Sequence, residues 1–442
     1  MQDLKRATAL SDLLLEVWLV RDERMETANN FLKENQFAEA GKLFRQVWEE
    51  ENNAYAASKY LYCLRKAGYP EAAIKQGEKA FSQLPENVYV QRELVWAHYE
   101  MVKAVKEQQD LQKLLQAASS LIKLKPDILP LELTVFAVIK LAKDKQDWRV
   151  VSTWCDKIAP AEITDETSGY NEHKIKSKRQ QWYFAKVKSL IELKDWKPAR
   201  SLALEAANIY PTEINFKRWS VLALANLENV EQAIAELEDL IIKNREEWYL
   251  YKDLCDLYLE SEQQKPAFRF ACKAALAPGE DKAKVTLYQQ IAQIALALGK
   301  LEIAARHLEL TKAIRQQEGW AIKANLEKLE ADISRAFVKQ RLTQRDFLND
   351  IPQLIRLCRR NWKEESYRGL PRQTGIIASL HPHKTSAWIH AEDGSDIFCL
   401  QKDLPPFLRK EQVKVNFALE KSWDKKKERF SVRAVDIREY KP

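Results

Sequence analysis

The chain has 442 residues, of which 46% are hydrophobic and 31% charged, with 13 Trp, 15 Tyr and only 10 Gly. That composition excludes a disordered, collagen-like or low-complexity chain, and the length exceeds one ordinary domain. The net charge of +7 is unevenly placed: Ala331–Pro442 carry 23 Lys and Arg against 15 acids, a net of +8, which leaves 48 against 49 in residues 1–330, a net of −1. A local basic excess suits an anionic partner.

No apolar run reaches the ~18 residues of a membrane span, and the start, with Asp3, Lys5 and Arg6, lacks the long apolar core of a secretion signal. Cys63, Cys155, Cys255, Cys272, Cys358 and Cys399 stand far apart with no C-x-x-C pair. This spacing predicts reduced, buried thiols in a cytoplasmic protein and no structural zinc.

In chain order, the first predicted elements are repeated helix pairs. One phrase recurs: a small residue, a polar turn, an aromatic or apolar residue, then Ala three or four places on. It runs Ala28–Ala40, with Phe31 and Phe37, then Leu64–Ala73, with Gly68 and Tyr69. Later copies hold Trp196 and Ala199, Val230 and Ala233, Lys265 and Ala267, and Leu301 and Ala304. Weaker copies lie near Leu111–Pro126 and Asp147–Pro160. In this reading the Gly or Ala lets helix A approach helix B, the aromatic plugs their groove, and the later Ala admits the next pair. Ala161–Gln180 is polar and predicts a long loop or an extended helix start, and Trp320–Phe337 an amphipathic cap.

These motifs resemble tetratricopeptide repeats over roughly residues 21–330. The resemblance implies an α-solenoid of about eight helix-hairpin repeats that presents a surface to a protein partner. Some members hold a peptide carboxylate with a Lys/Asn clamp. Here Asn29 falls on the Asn position, Met25 stands where Lys is expected, and the second Asn falls on Ser58 or Lys59. The clamp is incomplete, and Asn29 and Lys59 are the candidate protein-binding residues.

Val338–Arg372 follows. Asn349 or Asp350 can cap a helix with Pro352 in its first turn. Ile351, Leu354, Ile355 and Cys358 form an apolar stripe opposite Arg356, Arg359, Arg360 and Lys363, a basic face able to extend a phosphate path.

From Arg372 the period becomes two. Strands are predicted at Gly375–Leu380, Lys384–Ile389, Ser395–Leu400, Gln412–Leu419 and Arg429–Ile437. Five short strands in about 65 residues suit a small closed barrel of the oligonucleotide-binding (OB) type. The order of motifs resembles a cold-shock domain: Thr374-Gly375-Ile376-Ile377, Lys384-Thr385-Ser386-Ala387-Trp388-Ile389, the Asp393-Gly394 turn, Asp396-Ile397-Phe398, Val413-Lys414-Val415-Asn416-Phe417 and Ala434-Val435-Asp436-Ile437. The resemblance implies that single strands stack bases on surface aromatics beside phosphate-tracking cations. Lys384, Trp388 and Phe398 keep the functional type, whereas Ser379, Leu380, Ser386, Leu400 and Gln401 replace other signature residues. His381, His383 and His390 surround the same strand, and imidazoles also stack; an H-x-H loop without a nearby carboxylate or thiol predicts no metal. Trp423, Lys425, Lys426, Lys427 and Arg429 lie in the loop joining the last two strands, basic residues beside an aromatic.

The expected architecture is mainly α: helical repeats over 1–330, basic capping or linker helices over 331–372, and a barrel over 373–442. No nucleotide-binding or hydrolase motif occurs, so no enzyme, cofactor, metal or small-molecule substrate is expected. Two functions follow. One is an adaptor binding a protein on the helices and single-stranded RNA or DNA on the barrel. The other is a protein–protein scaffold whose barrel has lost nucleic-acid binding.

Overall fold

The structure is a computed structural model and describes residues 23–166, 169–170, 173–174, 176–227, 229–342, 350–381 and 385–440. It divides into two compact units, residues 1–210 and 211–442. The division falls within the helical repeats.

In the first unit the helix pairs are α1 (23–33) with α2 (Phe37–Glu51), α3 (Ala54–Lys66) with α4 (Pro70–Gln83), and α5 (Val88–Glu107) with α6 (Leu111–Lys123). Then come α7 (Ile128–Asp144) with α8 (Trp148–Cys155) and α9 (Lys178–Glu192) with α10 (Trp196–Ile209). In the second unit they are α11 (Ile214–Ala225) with α12 (Val230–Lys243), α13 (Trp248–Glu260) with α14 (Gln264–Leu276), and α15 (Val285–Ala297) with α16 (Leu301–Gln317). These are helix hairpins repeated in tandem.

In seven of these pairs the turn is built one way; residue 228, in the α11–α12 turn, lies outside the described residues. A single residue takes the left-handed conformation: Asn35, Gly68, Gln109, Gln146, Lys194, Glu262 and Gly299, with φ between 57° and 85°. The next N–H often returns to a carbonyl five residues back, as Tyr69 to Leu64, Asp195 to Leu190 and Lys300 to Ala295. This is a Schellman-type helix end. Five residues past each turn stands a side chain with 0% exposure: Ala40, Ala73, Leu114, Val151, Ala199, Ala267 and Ala304. The weak copies are therefore weak because Leu114 and Val151 occupy the Ala site.

Gly68 and Gly299 correct the expectation of close helix approach. A Cβ on either would meet nothing within 4 Å, so their glycines serve the positive φ of 85° and 70°.

Within Ala161–Gln180, residues Pro160–Glu162 form a 3₁₀ turn, and a two-residue ladder joins β1 (Gly169–Tyr170) to β2 (His173–Lys174). Asp165 accepts from the hydroxyls of Ser177 and Tyr210, which ties this segment to α9 and α10.

In the second unit α17 (Ala324–Lys339) lays Leu326, Leu329, Ile333 and Phe337 against the core. Then α18 (Ile351–Ser366) packs on α14 and α16. Its apolar stripe is continued by Trp362, and Leu354, Cys358 and Trp362 are all buried. Asp350 occupies the cap position without a side-chain cap bond, Pro352 lies in the first turn, and Asn349 lies outside the described residues.

The C-terminal segment is a five-stranded sheet: β3 (Arg372–Leu380), β4 (Ser386–Ala391), β5 (Asp396–Leu400), β6 (Lys414–Asp424) and β7 (Arg429–Glu439). The strand order is β3-β4-β5-β7-β6, and β6 also pairs with β3. β5 meets β7 through one parallel register pair, Phe398 with Arg433. Alternation puts Ile377, Ala387, Ile389, Ile397, Cys399, Val415 and Phe417 into the core. Gly375 is required by the pairing: a Cβ there would stand 2.5 Å from the His390 carbonyl oxygen.

The last two strands run longer than the sequence pattern indicated. The expected loop Lys421–Arg429 is mostly hairpin arm, and only Lys425–Glu428 form the turn. The cross-strand rings of Trp423 and Phe430, 5.1 Å apart, extend the ladder to its tip.

Candidate nucleic-acid interface

Trp388 and Phe398 are register partners on β4 and β5, on the outward side of the sheet. Their neighbours Ala387, Ile389, Ile397 and Cys399 point into the core, so alternation turns the two rings outward. The ring centroids are 5.7 Å apart at 74°, and Trp388 is 39% exposed. Ser379 stands beside Trp388 on β3, and Arg433 beside Phe398 on β7. One rung further, His390 Nδ1 lies 2.9 Å from the Asp396 carboxylate. The arrangement offers two adjoining aromatic surfaces for a planar group, flanked by polar residues.

His381 is exposed at the end of β3, and its carbonyl accepts from the Gln401 amide at 2.8 Å. His383 and Lys384 lie outside the described residues.

At the hairpin tip Lys425, Lys426, Lys427 and Arg429 are exposed. Asp424 shapes the turn by accepting the N–H groups of Lys426 and Lys427. Those bonds, that of Lys427 foremost, hold its carboxyl below the usual range. Trp423 is occupied differently from the sequence expectation. Its ring meets Phe430, and the Lys243 ammonium of α12 lies 4.6 Å from its centroid. It supports the hairpin against the helices.

Arg356, Arg359, Arg360 and Lys363 are exposed on α18, opposite its buried stripe. Lys363 lies close enough to Asp403 for its charge to act on that carboxyl, alongside Arg433 and Lys402. The carboxyl is nevertheless raised, because burial outweighs these cations.

The sequence pattern did not reveal Glu420. On β6 it accepts from Lys273 at 2.6 Å, from Arg245, and from Arg433 at 3.1 Å. Burial alone would raise its pKa, but these three cations hold it at about 2. Arg245 and Lys273 lie 175 and 147 residues away in sequence, so no local spacing signals the cluster.

In the first unit Asn29 is engaged internally: its amide donates to the Met25 carbonyl at 2.8 Å and accepts from the Tyr55 hydroxyl at 3.0 Å. The Lys59 ammonium lies 5.3 Å from the Tyr55 centroid and 5.8 Å from that of Tyr62. Arg65 continues the row over Tyr62 and Trp96. The spacing of Tyr55, Lys59, Tyr62 and Lys66 was the available signal for this aromatic and cationic stripe on α3.

All six cysteines are buried and unbonded. Burial pushes the thiols of Cys63, Cys155, Cys255, Cys358 and Cys399 up to about 12. Among the described residues no group of three or more His, Cys, Asp or Glu could hold a metal ion, and no helix is long and apolar enough to cross a membrane.

A domain of unknown function (DUF7017) matches residues 216–353. A search of curated proteins finds no match. Among solved structures the chain is similar to a tetratricopeptide repeat protein from Parabacteroides merdae, at 14% identity over 71% of this chain and 98% of that one, TM-score 0.31. It is similar to the TPR2AB domain of yeast Sti1 in complex with pHSP90, at 15% identity over 71% and 98%, TM-score 0.29. It is also similar to the human IFIT1 dimer with PPP-AAAA, at 14% identity over 82% and 86%, TM-score 0.35.

Proposed function

We propose that the chain is a non-enzymatic, cytoplasmic adaptor. Its helix pairs hold a protein partner, and its C-terminal sheet, taken as a closed OB barrel of the cold-shock type, binds single-stranded RNA or DNA. In functional terms it divides into helical repeats at 1–330, basic helices at 331–372 and the barrel at 373–442.

The observation that carries this reading is the register pair of the exposed Trp388 and the half-buried Phe398, both on the outward side of the sheet. Two adjacent outward rings on neighbouring strands suit consecutive stacked bases. The cations of the hairpin tip and Lys363 of α18 supply phosphate contacts, and the stripe of Tyr55, Lys59, Tyr62 and Arg65 supports the protein-binding role of the helices.

A scaffold reading is favoured by a different observation. Lys243 covers Trp423, and Glu420 ties β6 to Arg245 in the turn after α12 and to Lys273 of α14, so part of the outward sheet surface already serves an internal contact.

The test is fluorescence anisotropy of the full chain with a labelled 12-mer single strand at two salt concentrations. The adaptor predicts binding that weakens as salt rises. No binding at low salt rejects it and leaves the scaffold.

A further inference from the structure

The second unit contains a solvent-open pocket of about 490 Å³ between α12–α14 and the β6–β7 arms. Its walls are mainly apolar, with Ile241, Phe270, Leu370, Leu419 and Val432 among them. One wall residue, Val432, is 45% exposed, so the apolar wall is reachable from solvent.

The charge of the lining is not balanced. Glu420 pairs with both Arg245 and Lys273, one carboxylate against two cations. Glu238 accepts from the Tyr258 hydroxyl at 3.1 Å. Arg269 and Lys421 also line the pocket, and neither makes an ion pair among the described residues. The lining holds four cations, Arg245, Arg269, Lys273 and Lys421, against two carboxylates, Glu238 and Glu420, and an apolar wall beside that positive excess fits a molecule with an apolar body and one negative head.

We infer that this pocket is a binding site for a small amphipathic anion, an apolar chain or ring bearing one carboxylate or phosphate. The apolar body lies along Ile241, Phe270, Leu419 and Val432, and the head meets Arg269 and Lys421. The volume lies within the range of ordinary small-molecule sites, about 300–1,000 Å³. Such a ligand touches helices and sheet together, so it stabilises their joint by mass action.

The test is calorimetric titration of the full chain with decanoate and decyl phosphate, using decanol and decyltrimethylammonium as probes of the head charge. At least one anion is expected to bind one to one, about tenfold or more tighter than decanol. The better anion identifies the head group. Arg269→Gln with Lys421→Gln should bring that anion to the level of decanol. Val432→Trp should fill the pocket and abolish binding while the circular dichroism spectrum stays unchanged. The inference is overturned if decanol binds as tightly as both anions, if no probe binds, or if both sets of substitutions leave anion binding intact.

Discussion

The indole N–H of Trp362 donates to Nε2 of His307 across 2.6 Å, joining α18 to α16. The other ring nitrogen, Nδ1, lies 2.7 Å from the Ile303 carbonyl. A donor on one side and an acceptor on the other assign the proton to Nδ1 and make the imidazole neutral. Trp362 also stacks on Tyr288, with centroids 5.4 Å apart and planes within 6°. Trp362→Phe should keep much of the packing but leave Nε2 without this donor in a site of 0% exposure. The expected loss is about 1–3 kcal/mol, read from urea unfolding.

The same bond gives an acid-sensitive joint. Burial lowers the pKa of His307 to about 4, below the ordinary 6.5. The unfolded chain then binds a proton that the folded chain rejects. This contribution is intact above pH 6.5 and is lost as pH falls toward 4. His307→Gln should flatten the fall in stability across that window, measured by urea unfolding at several pH values. An unchanged slope would contradict the neutral, buried assignment.

Glu420 acts in a lower window. Its folded pKa, about 2, lies below that of the unfolded carboxyl, so its contribution is present above about pH 4.5 and is lost as pH falls toward 2. Glu420→Gln should cost on the order of 3–5 kcal/mol at neutral pH, since three partly buried cations lose their partner. The loss should appear in urea unfolding of the full chain and be smaller at pH 3 than at pH 7.

The repeat register makes two opposite predictions. Ala199→Trp and Ala304→Trp place a large ring where exposure is 0%, and each should destabilise by about 1–3 kcal/mol or more. Lys194→Gly and Glu262→Gly relieve a side chain held at φ 62° and 58° and should stabilise by about 0.5–1 kcal/mol. Thermal melting of the four variants checks both signs.

Trp388→Ala and Phe398→Ala should each weaken single-strand binding by about 1–3 kcal/mol. Phe398 is half-buried, so its variant also needs a melting curve that matches the parent. Replacing Lys425, Lys426 and Lys427 with Gln should lower affinity and flatten the salt dependence, each phosphate contact contributing up to about one released counterion. Anisotropy titrations at two salt concentrations read both effects.

The helix pairs and alternating strands follow from short-range rules, and much of both was legible in the sequence. A left-handed turn residue and a small buried residue five places later recur because each hairpin must close within its own segment. Ala40, Ala199 and Ala304 mark that register openly, while Leu114 and Val151 conceal it by filling the same space with larger side chains. Strand alternation likewise predicts that Trp388 and Phe398 share an outward face. The uses of Trp423, Glu420, His307 and Trp362 were decided only by tertiary structure. Their partners, Lys243, Arg245, Lys273 and each other, lie 55 to 180 residues away in sequence. Such contacts depend on how helices and sheet pack, because burial and charge pairing act on neighbours in space, whereas periodicity records neighbours along the chain.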